Sequence, residues 1–250
     1  MKKIFTLLAL TITFSMNAQV STNSTSTPGT YASAMGNATT ASGNESTAMG
    51  YDTTASGEAS TAMGYSTTAS AQSSTAMGRG TTASETNSTA IGAYTEASGS
   101  SSTAMGYDTT ASGEVSTAMG YDTTASGYFS TAMGVVTTAS GWYSTAMGRN
   151  TTASGNYSTA MGYGTTASDY GSLVIGQYNS SGSSVTNSAI SFSTSNTAFV
   201  IGNGTASNAK SDAFKVMFNG DATVSNDLTV SGDVVVSSDA RLKSNIVSLG

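Results

Sequence analysis

One pattern constrains this chain before anything else: the block S-T-A-M-G returns every 14 residues. Its fourth position falls at Met35, Met49, Met63, Met77, Ile91, Met105, Met119, Met133, Met147, Met161 and Ile175. The full unit is S-T-A-M-G-x-x-T-T-A-S-G-x-x, as in Ser116 to Phe129. A fixed period of this kind marks a solenoid, in which each unit stacks on the one before. Fourteen residues are too few for a pair of helices. They suit one coil of two short strands and two turns, with Thr, Met and Ile in the strands and Gly50 and Gly57 in the turns. Coils hydrogen-bonded about 4.8 Å apart build, over ten steps, a rod of roughly 48 Å.

Strand alternation puts Thr47 and Met49 on one face, with Ser46, Ala48 and Gly50 on the other. A coil this narrow holds only small side chains, so Ala48 and Ala55 are expected to fill it, with Met49 outside. The reverse assignment, Met inside and Ala outside, stays open at this point. An outward Met column gives the rod a long apolar stripe, and such a stripe demands a partner. Three rods around one axis would bury it symmetrically.

The unit resembles the head repeat of YadA-like trimeric autotransporter adhesins, roughly N-S-V-A-I-G-x-x-S-x-A. Asn87-Ser88-Thr89-Ala90-Ile91-Gly92 and Ser172-Leu173-Val174-Ile175-Gly176 carry the likeness most clearly. Most copies depart from it, with Thr for Val and Met for Ile. The resemblance implies an all-β fold: a left-handed parallel β-roll, assembled as a homotrimer, with a β-rich neck. It also implies adhesion to a surface ligand such as a glycan or matrix-like polymer, from the outer surface of a Gram-negative cell.

Composition narrows the chemistry. The chain has no Cys and no His, which removes disulfides, thiol catalysis, Ser-His-Asp triads and most transition-metal sites. No cofactor and no metal site is expected. Lys2 and Lys3, the apolar run Ile4 to Phe14 and a cleavage point after Ala18 read as an export signal. Without those two lysines the net charge falls from −6 to −8, which does not suit a nucleic-acid partner. The repeat holds no facing pair of carboxylates of the kind a glycosidase needs. A phage-type tail fibre is the competing reading, and the export signal argues against it.

The two x-x pairs vary between units and are expected on the surface. Phe129, Tyr143 and Tyr157 form one column, with Tyr128 and Trp142 beside it. Tyr51 with Tyr65, and Tyr107 with Tyr121, form shorter columns at the other pair. Such aromatics either stack on a bound ligand or brace the sheet as a ladder. The ligand-binding candidates are Tyr128, Phe129, Trp142, Tyr143 and Tyr157. Asp108 and Asp122, with Glu114 between them in sequence, suit a solvated acidic face better than a calcium site. Adjacent threonines such as Thr53-Thr54 point to opposite faces, which weakens an ice-binding reading.

The register breaks after Ile175. Asn179 to Asn196 reads as a loop, and Thr197 to Gly204 as a last capping coil. Ala213 to Phe218 and Ala222 to Ser225 read as a hairpin around Asn219-Gly220, with a type I′ turn. Leu228 to Val230 and Val234 to Val236 continue the β pattern. Ser238-Asp239-Ala240-Arg241-Leu242-Lys243-Ser244-Asn245-Ile246 then resembles the opening of the intramolecular chaperone domain of phage endosialidases and tail spikes, S-D-x-R-L-K-x-N-I. That domain trimerises its fibre and cuts itself off. The resemblance implies Ser238 as nucleophile and Lys243 as its base, with cleavage between Ser237 and Ser238; a desolvated Lys can activate a serine where no His exists. The expected organisation is thus signal peptide 1–18, flexible segment 19–30, head repeats 31–176, loop and capping coil 177–204, β neck 205–236, and the truncated start of a chaperone domain at 237–250. No activity on an external substrate is expected.

Overall fold

A computed structural model describes residues 25–232. Each coil contributes a five-residue strand, such as Thr47–Tyr51, and a two-residue strand, such as Thr54–Ala55. The fold is an all-β parallel solenoid, and among the described residues there is no helix. Long strands pair with long strands and short with short, always in parallel and always one unit apart. Thr47 lies against Thr61, Ala48 against Ala62 and Met49 against Met63. Thr54 and Ala55 lie against Thr68 and Ala69. With three further strands added at its C-terminal end the long-strand sheet has fourteen strands, and the short-strand sheet behind it has ten.

The interior settles the question of which face is buried. Ala41 and every seventh residue from it to Ala167 are completely inaccessible, and Val174 and Val200 end the row. Thr39, Ser46, Thr53, Ser60 and their equivalents, also seven apart, line the same core. The core period is therefore seven, half a coil. The unit is two similar halves, S-T-A-M-G-x-x and T-T-A-S-G-x-x, related by an approximate twofold within the coil. Methionine faces outward, at 36% exposure for Met49.

The turns differ from the expectation. Gly50 is expected in a turn, yet it lies inside the strand Thr47–Tyr51, at φ 127°. It is glycine because a Cβ there would drive into the carbonyl oxygen of Gly64, one coil up. Gly57 does open a turn, but without a positive φ. Besides Gly50 and its equivalents, the last residue of most halves also takes a positive φ. Asp52, Ala59, Asp108, Val115, Asp122, Phe129 and Val136 all take φ between 53° and 55°. This region is costly for most L-residues and worst for β-branched ones. Their N–H groups explain why it is tolerated: Val115 donates to the Ser100 carbonyl at 2.8 Å and Phe129 to that of Glu114 at 2.9 Å. The bend turns each N–H toward the coil below, so the turns stack as the strands do.

The C-terminal end is closed by side chains that imitate a peptide. The short-strand sheet ends at Thr166–Ala167. Asn179, fully buried, accepts from the Thr166 N–H through Oδ1 at 2.8 Å and donates Nδ2 to the Thr166 carbonyl at 2.8 Å. Asp169 takes the place of the repeat's second glycine and is also fully buried. Its carboxylate accepts from the N–H groups of Thr186 and Thr197, at 2.6 and 2.8 Å. Asn196 holds Ser188 in the same two-point manner, at 2.9 and 2.8 Å. These bonds fold residues 179–196 over the last coil, satisfying groups that a further strand would otherwise take.

Beyond this lid, Thr197–Asn203 pairs in parallel with Leu173–Gln177, keeping Val174 against Val200 and Ile175 against Ile201. Asp212–Met217 and Ala222–Val224 follow as an antiparallel hairpin. Its turn is not type I′, which needs positive φ at both central residues. Only Gly220 has it, at 92°. Gly220 donates to the Met217 carbonyl at 3.0 Å and Met217 to that of Asp221 at 2.8 Å, the pattern of a three-residue loop closed by a glycine bulge. Leu228 to Val230 form no strand and are exposed. Val234 to Val236 lie outside the described residues.

Two changes test this account. Val115→Asn keeps the turn but lets an αL-tolerant residue occupy it, so thermal melting should show a gain of about 1 kcal/mol. Asp169→Ala leaves two backbone N–H groups without their partner inside the lid; a loss of about 2–4 kcal/mol is expected by denaturant unfolding.

Candidate ligand-binding surface

The variable pairs form two ridges, one along each edge of the rod. They are exposed because the half-coil buries its Ala and first Ser/Thr positions, with the glycine of most second halves, and nothing beyond them. They stack because the register places every residue above its counterpart 14 positions earlier. The five aromatic candidates come together on one ridge. Phe129 stacks on Tyr143 at 5.2 Å with planes 4° apart, and Tyr143 on Tyr157 at 5.0 Å and 7°. Tyr128 meets Phe129 edge-on at 4.4 Å and Trp142 at 6.1 Å with a 55° tilt. Tyr170 extends the ridge at 5.2 Å from Tyr157. It stands in the column of Tyr128 and Trp142, one rung past Asn156.

Ring geometry separates two kinds of aromatic. The parallel rings spend their faces on one another and offer mainly edges to solvent. Trp142 is 59% exposed and is tilted against its one ring neighbour, which leaves much of its ring open to solvent. The Asn156 side chain fixes its backbone, accepting from the Trp142 N–H at 2.9 Å. Burial, the Glu114 carboxylate and Tyr143 push the phenol of Tyr128 above its ordinary ionisation range. At neutral pH the Tyr128 hydroxyl is therefore neutral, and it stands beside apolar ring edges and one open indole.

The opposite ridge is longer than its sequence columns suggest. Tyr51 stacks on Tyr65 at 5.1 Å, and Tyr107 on Tyr121 at 5.2 Å. Arg79 and Tyr94 bridge the interval. The Arg79 guanidinium lies 5.9 Å from the Tyr65 ring and 5.5 Å from that of Tyr94, which meets Tyr107 edge-on at 5.7 Å. Arg79 stands in the column of Tyr65, one rung on, whereas Tyr94 lies one position off that column and shares no period with Tyr107. Farther along, Arg149 sits 5.4 Å from the Tyr163 ring. Tyr163 and Tyr178 meet at 5.0 Å. The hydrogen bond with Tyr163 and burial raise the Tyr178 phenol, against a lowering by Arg149.

The acidic residues do not gather. Asp108 and Asp122 occupy one turn and Glu114 the other. Among the described residues no three carboxylates come together as a metal site. The adjacent threonines split as expected: Thr53 is buried and Thr54 faces out. The outward row on the short strands reads Thr54-x-Ser56. Ser238 and Lys243 lie outside the described residues.

This geometry defines a class: a β-solenoid whose chemistry lies on its surface columns. The family model for the YadA head domain repeat matches the chain in overlapping copies at residues 28–53, 41–67, 55–81, 69–95, 97–123, 111–137, 125–151, 139–165 and 153–179. The chain belongs to the YadA head-repeat family. No curated protein matches it.

The stacking predicts a measurable asymmetry. Tyr143 has ring neighbours on both sides, so Tyr143→Ala should cost about 1–3 kcal/mol in unfolding free energy. Trp142→Ala should cost less than that, since its ring makes one tilted contact.

Proposed function

We propose that this chain forms a homotrimeric fibre on the outer surface of a Gram-negative cell and mediates attachment to a glycan or matrix-like polymer. One observation carries the trimer. The two halves of each coil share their interior and their turns but differ at one outward position. The long strand presents Met, as at Met49, where the short strand presents Ser, as at Ser56. One face of a near-symmetric coil is therefore an apolar stripe and the other a row of hydroxyls. An apolar stripe running the length of a rod is a partner surface, and a closed cyclic assembly buries it without leaving an edge. The family's link to trimeric adhesins supports the same reading. Attachment is assigned to the ridge of Tyr128, Phe129, Trp142, Tyr143 and Tyr157, where Trp142 offers the open face that sugar stacking uses.

The motif from Ser238 to Ile246 belongs to this reading as the start of a trimerising chaperone. Ser238 would supply the nucleophile and Lys243 the base for release of the fibre.

Sedimentation equilibrium of the full chain should give three times the monomer mass. A monomer with intact β-signal would sink the trimer. Combined Ala replacement of Tyr128, Phe129, Trp142 and Tyr143 should abolish surface binding while leaving the assembled mass unchanged; undiminished binding would remove the ridge from the function. In a chain carrying a complete chaperone domain, Ser238→Ala should stop the cleavage, and continued release would exclude this serine.

A further inference from the structure

The long-strand face carries a chemistry that packing alone does not require. Its outward column holds methionine nine times, from Met35 to Met161, with Ile91 in their midst. Ile91 pairs in register with Met77 on one side and Met105 on the other. Ile175 and Ile201 occupy the same column farther on. A branched aliphatic thus fits this position, and it is the better strand former.

Parallel pairing sets the methionines directly above one another. Met35, Met49, Met63 and Met77 form one unbroken block. Met105, Met119, Met133, Met147 and Met161 form a second. Adjacent strands lie about 4.8 Å apart, and a methionine side chain has three rotatable bonds and a polarizable sulfur. Two thioethers on neighbouring coils can therefore converge on one ion. Thioether is a neutral, soft donor that selects Cu(I) and ions like it over hard divalent cations. With no Cys and no His in the chain, this ladder holds most of its soft donors. The other outward positions of the methionine strands hold Ser or Thr at the first residue and Asn, Tyr, Arg or Val at the fifth, so no carboxylate of these strands competes for the ion. The column is partly open, at 38% for Met35 and 36% for Met49.

We infer that neighbouring methionines of this ladder bind soft monovalent cations, Cu(I) or Ag(I), each ion bridging two coils of one chain. Two blocks separated by Ile91 make two independent stretches of sites. Each has room for two two-coordinate ions, since one block has four rungs and the other five. The site depends on strand register within one chain, so it does not require the trimer. If the trimer forms, the ions would sit on the face it buries, where a singly charged ion held by neutral sulfur costs least to desolvate.

The test uses the full chain and silver nitrate in chloride-free buffer, with Cu(I) under anaerobic ascorbate as a second probe. Metal retained after desalting is measured by elemental analysis. The control replaces all nine column methionines by isoleucine, the residue the chain itself uses at position 91. The native chain should retain Ag(I) and Cu(I) and leave Zn(II) behind. The isoleucine chain, with the same circular dichroism, should retain neither soft ion. Replacing only Met105, Met119, Met133, Met147 and Met161 should halve the retained silver, and this variant serves if the ninefold one does not fold. Equal retention by native and isoleucine chains, or none by the native chain, would overturn the inference. Sedimentation of the same samples reads assembly separately, so an intact trimer without silver refutes this site alone.

Discussion

Everything in this structure depends on backbone hydrogen bonding between residues one unit apart. That bond converts a period in the sequence into a column in space. A column of alanine becomes a core, a column of methionine a stripe, and a column of tyrosine a stack of rings. It also sets the strictest demand in the chain. Where the long strand closes on its neighbour there is no room for a Cβ, and every coil from Gly36 to Gly176 places glycine there. The turns are looser. They accept Asp, Val, Phe and Tyr at positive φ, because each such residue gains a hydrogen bond to the coil below that offsets the torsional cost.

The approximate twofold of the coil explains how so plain a composition yields a directional object. Two half-units with the same core can hold a narrow roll together, but alone they would give a rod with two equivalent faces. The exchange of Met for Ser at one outward position breaks the equivalence. Burial inside the roll needs small residues on both halves, so the break must be made outside. Function is therefore confined to outward positions: the methionine face, the threonine–serine face and the two aromatic ridges.

Much of this was legible in the sequence. The solenoid, the parallel register and the inward alanines follow from the period and from strand alternation. Tyr143 above Phe129 follows from counting fourteen. The seven-residue half-period was also present, in the recurrence of [S/T]-T-A-x-[G], but the alternation of Met and Ser disguises it. The closing lid was less legible, for a physical reason. Asn179, Asp169 and Asn196 act through side-chain bonds to backbone groups remote in sequence, and such bonds leave no periodic trace. The one trace is negative: Asp169 stands where the unit calls for glycine. Tyr94 escaped because its contacts with Arg79 and Tyr107 cross between columns.

The lid has a consequence for how such a rod changes length over generations. Asn179 and Asp169 act at the last coil, and the lid reaches back no farther than Asn156, whose N–H donates to the Ala189 carbonyl at 2.7 Å. A whole unit can be gained or lost in the interior without disturbing either end. Each event alters the rod by one strand spacing, about 4.8 Å, and adds or removes one rung from every column at once. The repeat is thus a ruler whose graduations are set by recombination, while its end-stop stays fixed.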